Sequence, residues 1–156
     1  MPDPGLFLMI PVSDMTTPYA SFPAGRPRRL RFDTATRNLV REHSVTAHDF
    51  IYPVFVHEGT NLRQPVASMP GVERLSIDLL LPVAERCLKL GVPFIDLFPA
   101  IDASLKTEDG SEALNPDGLI PRTIQALKRE FPELGVMTDV ALDPYTSHGH
   151  DGLLEG

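Results

Sequence analysis

Past Asp49, short apolar runs alternate with longer stretches in which apolar residues return every three or four positions. An unbroken apolar run of about four to eight residues marks a strand buried on both faces, while the longer period marks a helix with one face against a core. Strands are therefore predicted at Ile51 to Val56, Val92 to Phe98 and Leu134 to Val140. Pro53 fits the first poorly, because it has no N–H for a ladder and belongs at the start or edge of a strand.

Between the first two strands, Val83, Ala84, Cys87, Leu88 and Leu90 form a helical stripe closed by Gly91. A proline deep in a helix costs about 3 kcal/mol but almost nothing at the first helical position. This helix is accordingly expected to begin near Pro82, after an irregular turn from Ser76. The next helix has Pro121 near its start, Ile120, Ile124, Leu127 and Phe131 along one face, and Pro132 as its stop, with a turn at Asn115-Pro116-Asp117-Gly118 ahead of it. A shorter helix fits Thr34 to Glu42, with Leu39 and Val40 inward and Arg37 and Arg41 outward.

Strand and helix in alternation predict an α/β fold with parallel strands and helical crossovers. Periodicity does not separate half of a (β/α)₈ TIM barrel from half of a doubly wound sheet. No Gly-x-Gly-x-x-Gly or P-loop pattern follows a strand, so nucleotide binding has no support. A closed barrel takes roughly 200 residues or more. The chain has 156, enough for an N-terminal part of about three strands over residues 31–156. Residues 1–30, rich in Pro, Ser, Thr and Gly without a period, read as a flexible N-terminal arm that orders against a partner. Leu6 to Ile10 is apolar but follows Asp3 and lies between Pro4 and Pro11, which argues against a secretory signal.

Charge and composition narrow the partners. A formal charge of −7, with 22% charged and 42% hydrophobic residues, suits a globular protein without general affinity for nucleic acid or an anionic membrane. The patch Arg26-Pro27-Arg28-Arg29-Leu30-Arg31 reads as solvated or paired with acids of a neighbouring subunit. No stretch approaches the roughly 18 apolar residues of a spanning helix. The single cysteine, Cys87, forms no internal disulfide and reads as core packing, in keeping with a reducing cytoplasm.

The richest chemistry lies at Thr138-Asp139-Val140-Ala141-Leu142-Asp143-Pro144-Tyr145-Thr146-Ser147-His148-Gly149-His150-Asp151-Gly152, which places three carboxylates and two imidazoles just after the third strand. Loops at the carboxyl ends of barrel strands converge on one pocket, so acids there are candidates for proton transfer or cation binding. Each has a structural reading too. Asp139 can cap backbone N–H groups, and Asp143 can start the turn at Pro144. His148 and His150 can bind metal or shuttle protons, or serve as hydrogen-bonded supports. Glu58 and Gly59 lie just beyond the first strand at the same face, and Met69 and Pro70 shape a tight turn.

This segment, together with Ser68-Met69-Pro70-Gly71-Val72-Glu73-Arg74, Leu97-Phe98-Pro99 and Glu112-Ala113-Leu114-Asn115-Pro116-Asp117-Gly118-Leu119, resembles the porphobilinogen synthase (delta-aminolevulinic acid dehydratase) family from about Arg28 to Gly152. The resemblance implies a TIM barrel lyase that condenses two 5-aminolevulinate molecules into porphobilinogen, a step of haem and tetrapyrrole synthesis. It also implies a homo-oligomer, commonly an octamer, embraced by its N-terminal arms.

Family members hold substrate on two lysines as Schiff bases, which demands buried, deprotonated amines. Lys89 and Lys128 lie on amphipathic helices, where solvated positions are expected, Lys106 lies in a polar loop, and none matches the family's lysine motifs. The chain by itself is therefore expected to be inactive. Zinc-dependent members carry cysteines where this chain has Ala141, Asp143 and Asp151. The resemblance thus points to the aspartate-rich, zinc-independent branch, with Asp143 and Asp151 toward magnesium or a monovalent cation and Asp139 orienting the network, because carboxylates suit hard cations and thiolates suit zinc. The alternatives are a non-catalytic fragment that binds full-length subunits and modulates their assembly, and a small module whose folding depends on a cation.

Overall fold

The computed structural model describes residues 28–153 together with Pro23, Gly25 and Arg26. Most of the arm expected over residues 1–30, including the segment Leu6 to Ile10, lies outside the described residues. The chain divides into two compact units, Met1–Ser44 and Val45–Gly156. In the first, helix α1 (Thr34–Leu39) is capped by Asp33, whose carboxylate accepts the Thr36 N–H at 2.7 Å. The helix expected there forms, but its apolar side does not turn inward. No residue of α1 is buried and Leu39 is 85% exposed. Six residues make under two turns, too little surface to define a buried stripe.

The second unit is built on a five-stranded sheet: β1 (Ile51–His57), β2 (Arg63–Pro65), β3 (Glu73–Leu75), β4 (Phe94–Ala100) and β5 (Gly135–Thr138), in the order β2-β3-β1-β4-β5. β1 pairs in parallel with β4 along seven positions, from Ile51 opposite Phe94 to His57 opposite Ala100. β5 continues the parallel run, and only β2 is antiparallel. β3 meets β1 first at Phe55. At Pro53 one edge of β1 therefore carries no ladder, and a residue without an N–H is tolerated there.

Helices α2 (Ile77–Lys89) and α3 (Leu119–Glu130) link β3 to β4 and β4 to β5. Leu80 and Ala84 of α2 and Leu119 and Leu127 of α3 join Val54, Val56, Ile95 and Leu97 in one core. Because strand side chains alternate, this core uses one face of the sheet, and both helices lie on it. The order β1, β4, β5 advances in one direction without a switch point. That is the arrangement of a barrel wall, whereas a doubly wound sheet reverses direction and covers both faces. The opposite face carries Phe55 and Phe98, whose rings lie 5.8 Å apart, and Asp96.

Three expectations need correction. α2 begins at Ile77, not near Pro82, with Ser76 at its N-cap, so Pro82 sits inside the helix. Pro82 is exposed, which leaves the carbonyl it fails to bond on the solvent side, while fully buried Leu80 and Ala84 anchor the turns around it. The third strand stops at Thr138, leaving Asp139 and fully exposed Val140 in the following loop. β2 and β3 were not foreseen, because three residues display no period. In α3 the most buried positions are Leu119, Thr123, Ala126 and Leu127, while Ile120 and Ile124 are half-buried beside them. Cys87 is buried as expected, and burial raises its thiol above the usual range. The turn at Met69 to Gly71 also forms, with the Val72 N–H donated to the Met69 carbonyl at 3.0 Å and Gly71 at φ +83°.

Candidate active site at the carboxyl ends of the strands

β1, β4 and β5 run parallel, so their carboxyl ends open onto the same edge of the sheet. Above β5, the residues from Asp139 onward fold over that edge. A cavity of about 150 Å³ lies there, lined by Pro99, Thr138, Asp139, Ala141, Asp143 and Tyr145 among others. Two of the three predicted aspartates, Asp139 and Asp143, thus share one space. Burial raises the Tyr145 phenol above its usual range, and the charge of Glu112 adds to this.

The third aspartate has a different place. Asp151 Oδ1 accepts the N–H of Leu142 at 2.7 Å and of Asp143 at 2.9 Å, tying the end of the loop to its beginning. Those two donors, Asp143 first, hold the Asp151 carboxyl below its ordinary value. Buried Thr146 completes the closure, its hydroxyl donating to the His150 carbonyl at 2.9 Å. A bridge between Thr107 and Thr146 joins this loop to the one after β4.

The histidines are woven into the same support. His150 N–H donates to His148 Nδ1 at 3.2 Å, so Nδ1 is an acceptor and the proton sits on Nε2, which lies 3.0 Å from the Glu108 carbonyl. The two rings stack with centroids 5.8 Å apart. Gly110, at φ +65°, lets the opposing loop approach: a Cβ there would lie 3.3 Å from the Thr146 methyl.

Asp96 was not singled out in the sequence, although an acid inside the run Phe94-Ile95-Asp96-Leu97-Phe98 is a visible anomaly. Its Oδ1 is buried without a hydrogen-bond partner among the described residues. Burial raises its carboxyl above the usual range, and the Asp139 charge pushes it further. An acid biased toward its protonated form beside an exposed carboxylate is an arrangement that can hold and pass a proton.

Of the lysines, Lys89 pairs with Glu85 at 2.6 Å on the outer side of α2. Lys128 is not simply solvated: its ammonium donates to the Pro132 and Leu134 carbonyls, both at 2.7 Å, and secures the turn from α3 into β5. Lys106 lines a second cavity at the strand ends, together with Glu58. No group of three or more His, Cys, Asp or Glu side chains that could hold a metal ion is assembled among the described residues. Asp143 and Asp151 are too few donors for a site, and Asp151 Oδ1 is already occupied by backbone N–H groups.

Known proteins share this framework. The delta-aminolevulinic acid dehydratase family matches residues 24–156. The chain is 55% identical over 129 residues to the delta-aminolevulinic acid dehydratase of Bradyrhizobium diazoefficiens, covering 83% of this chain and 36% of that protein. It is 46% identical to the chloroplastic delta-aminolevulinic acid dehydratase of Selaginella martensii, over 83% of this chain and 31% of that protein. It also superposes, with a TM-score of 0.77 and 46% identity, on the Toxoplasma gondii ME49 delta-aminolevulinic acid dehydratase (porphobilinogen synthase) crystallised with its reaction product porphobilinogen. That match covers 84% of this chain and 37% of the other. The chain spans about a third of the length of the relatives it matches.

Proposed function

Because the chain belongs to the delta-aminolevulinic acid dehydratase family, we propose that it supplies part of the barrel of a lyase that condenses two 5-aminolevulinate molecules into porphobilinogen with loss of water. The observation that carries this reading is the shared cavity of Asp139 and Asp143 at the strand ends, in a fold that matches a product-bound relative.

In this reading Asp139 and Asp143 pair with the substrate ammonium group, and Asp96, held toward its neutral form, takes part in the proton movements that dehydration requires. Asp151 keeps the Asp143 backbone in place. The amines that capture the substrate ketones come from outside the chain in this reading: Lys89 and Lys128 are engaged by Glu85 and by backbone carbonyls, and Lys106, at the strand ends, matches none of the family's lysine motifs. A zinc-independent type is part of the proposal: Asp143 and Asp151 offer carboxylates, Ala141 offers no ligand, and none of the three is a thiolate, which suits magnesium or a monovalent ion. The described residues do not complete such a site, and no step is routed through it. An octameric assembly embraced by arms and a cytoplasmic location belong to the same proposal. No helix among the described residues is long and apolar enough to cross a membrane.

The test grafts residues 24–156 into the Bradyrhizobium diazoefficiens relative in place of its matched stretch and measures porphobilinogen formation. The chimera is expected to turn over, and Asp139→Asn in it to lower kcat by about 10²-fold or more. A folded chimera without activity would falsify the reading, and porphobilinogen made by the 156-residue chain alone would overturn the external origin of the amines.

A further inference from the structure

Next to the aspartate cavity, at the carboxyl ends of β1 and β4, lies a larger one of about 460 Å³, within the range of small-molecule sites. Its charged and polar lining includes His57, Glu58, Gln64, Arg74, Asp102 and Lys106. The two acids are engaged elsewhere. Glu58 forms an ion pair with Arg122 of α3, and Asp102 Oδ1 accepts both the N–H and the hydroxyl of Ser104, at 2.9 and 2.6 Å. The charge of Glu58 is thereby balanced, which leaves two cations, Arg74 and Lys106, against the one carboxylate of Asp102. Arg74 reaches only neutral Gln64, at 3.5 Å, and among the described residues neither Arg74 nor Lys106 forms an ion pair.

His57 supplies an independent indication. It is 9% exposed, and its buried Nε2 has no hydrogen-bond partner among the described residues. Buried polar atoms are nearly always paired, so His57 marks a stretch of the cavity wall where polar pairing is incomplete. Register places His57 and Arg74 on the sheet face opposite the helices, since Phe55 stands opposite Arg74 and alternates with Val56 ahead of His57. A guanidinium fork and an ammonium are donors only, and together they match the several acceptor lone pairs of an oxyanion.

We propose that this cavity is an oxyanion-binding site for a small carboxylate or phosphate, held by Arg74 and Lys106 beside the imidazole of His57. The site uses none of the aspartates of the 139–152 loop and does not depend on the dehydratase reading.

The test follows the imidazole resonances of His57 by NMR in the 156-residue chain, titrated with inorganic phosphate and, separately, with acetate, at fixed pH and at ionic strength held constant with chloride. A saturable shift at His57 is expected, with an affinity that falls at least tenfold in the Arg74→Gln, Lys106→Gln double variant. Response to phosphate alone identifies a phosphate ligand, and response to acetate alone a carboxylate. Lys106→Gln by itself, in a loop away from the sheet ladders, guards against a double variant that does not fold, and it is expected to weaken binding several-fold. No saturable shift with either anion, or an affinity unchanged by Lys106→Gln, overturns the proposal.

Discussion

Asp151 holds the backbone of Asp143: its Oδ1 accepts the Asp143 N–H at 2.9 Å and the neighbouring Leu142 N–H at 2.7 Å. Two acids eight positions apart, which look interchangeable in the sequence, therefore do different work. One closes the loop, and the other faces the cavity.

Removing the Asp151 carboxylate should loosen the loop locally. In Asp151→Ala, hydrogen exchange at the Leu142 and Asp143 amides is expected to lose protection, while β4 amides keep theirs. The pH dependence has a definite sign. A depressed carboxyl contributes order above its ordinary value near 3.8 and loses it as pH falls through the lower folded value. Protection of these two amides in the unsubstituted chain should collapse in that acidic window, and the Ala variant should show no such step.

Asp96 should behave in the opposite sense. Its carboxyl is raised in the folded chain by burial and by Asp139, so between the ordinary value near 3.8 and the raised folded value the folded state binds more protons than the unfolded one. Stability falls as pH rises through that window. Asp96→Asn is expected to be more stable than the unsubstituted chain at neutral pH and level with it at the acid end, as read from urea midpoints. An Asn variant less stable at neutral pH would contradict this account of the buried oxygen.

Pro82 sits in the interior of α2 at an exposed position. Pro82→Ala restores a helical N–H and removes a ring clash worth about 3 kcal/mol, offset by the roughly 0.4–1 kcal/mol by which proline restricts the unfolded chain. A net gain of about 2 kcal/mol is expected in chemical denaturation, without change in the slope. If α2 began at Pro82, the substitution would instead be neutral or destabilising.

Two leucines provide a contrast. Leu80 is fully buried against the sheet, and Leu80→Ala is expected to cost about 2–5 kcal/mol. Leu39, 85% exposed at the end of α1, is expected to tolerate Ala within about 0.5 kcal/mol. Thermal melts of the two variants measure the difference directly.

Much of the wall was legible before any coordinates. The apolar runs around Val54 and Leu97 place β1 and β4 to within two residues, and the stripe through Ala84 and Cys87 places the C-terminal half of α2, because burial on a strand or helix face imposes a period on neighbouring positions. The Asp139 to Asp151 segment stood out as a candidate site because it gathers three acids and two histidines just after a buried strand, although each acid also had a structural reading. Its resemblance to a family added an expected substrate class.

The sequence by itself thus determined the repeating strand and helix units, the position of the aspartate loop and the family, since all three are written in local period and residue order. Only the tertiary structure decided that both helices share one face, that α2 runs through Pro82, and that β3 pairs with β1 from Phe55. It alone placed Asp96 near Asp139, turned Asp151 onto the loop backbone, and left His57 Nε2 without a partner among the described residues. These are outcomes of long-range contact. Burial of Leu80 and Ala84 outweighs a local proline penalty, and the meaning of a charge is set by the groups that chain crossing brings beside it.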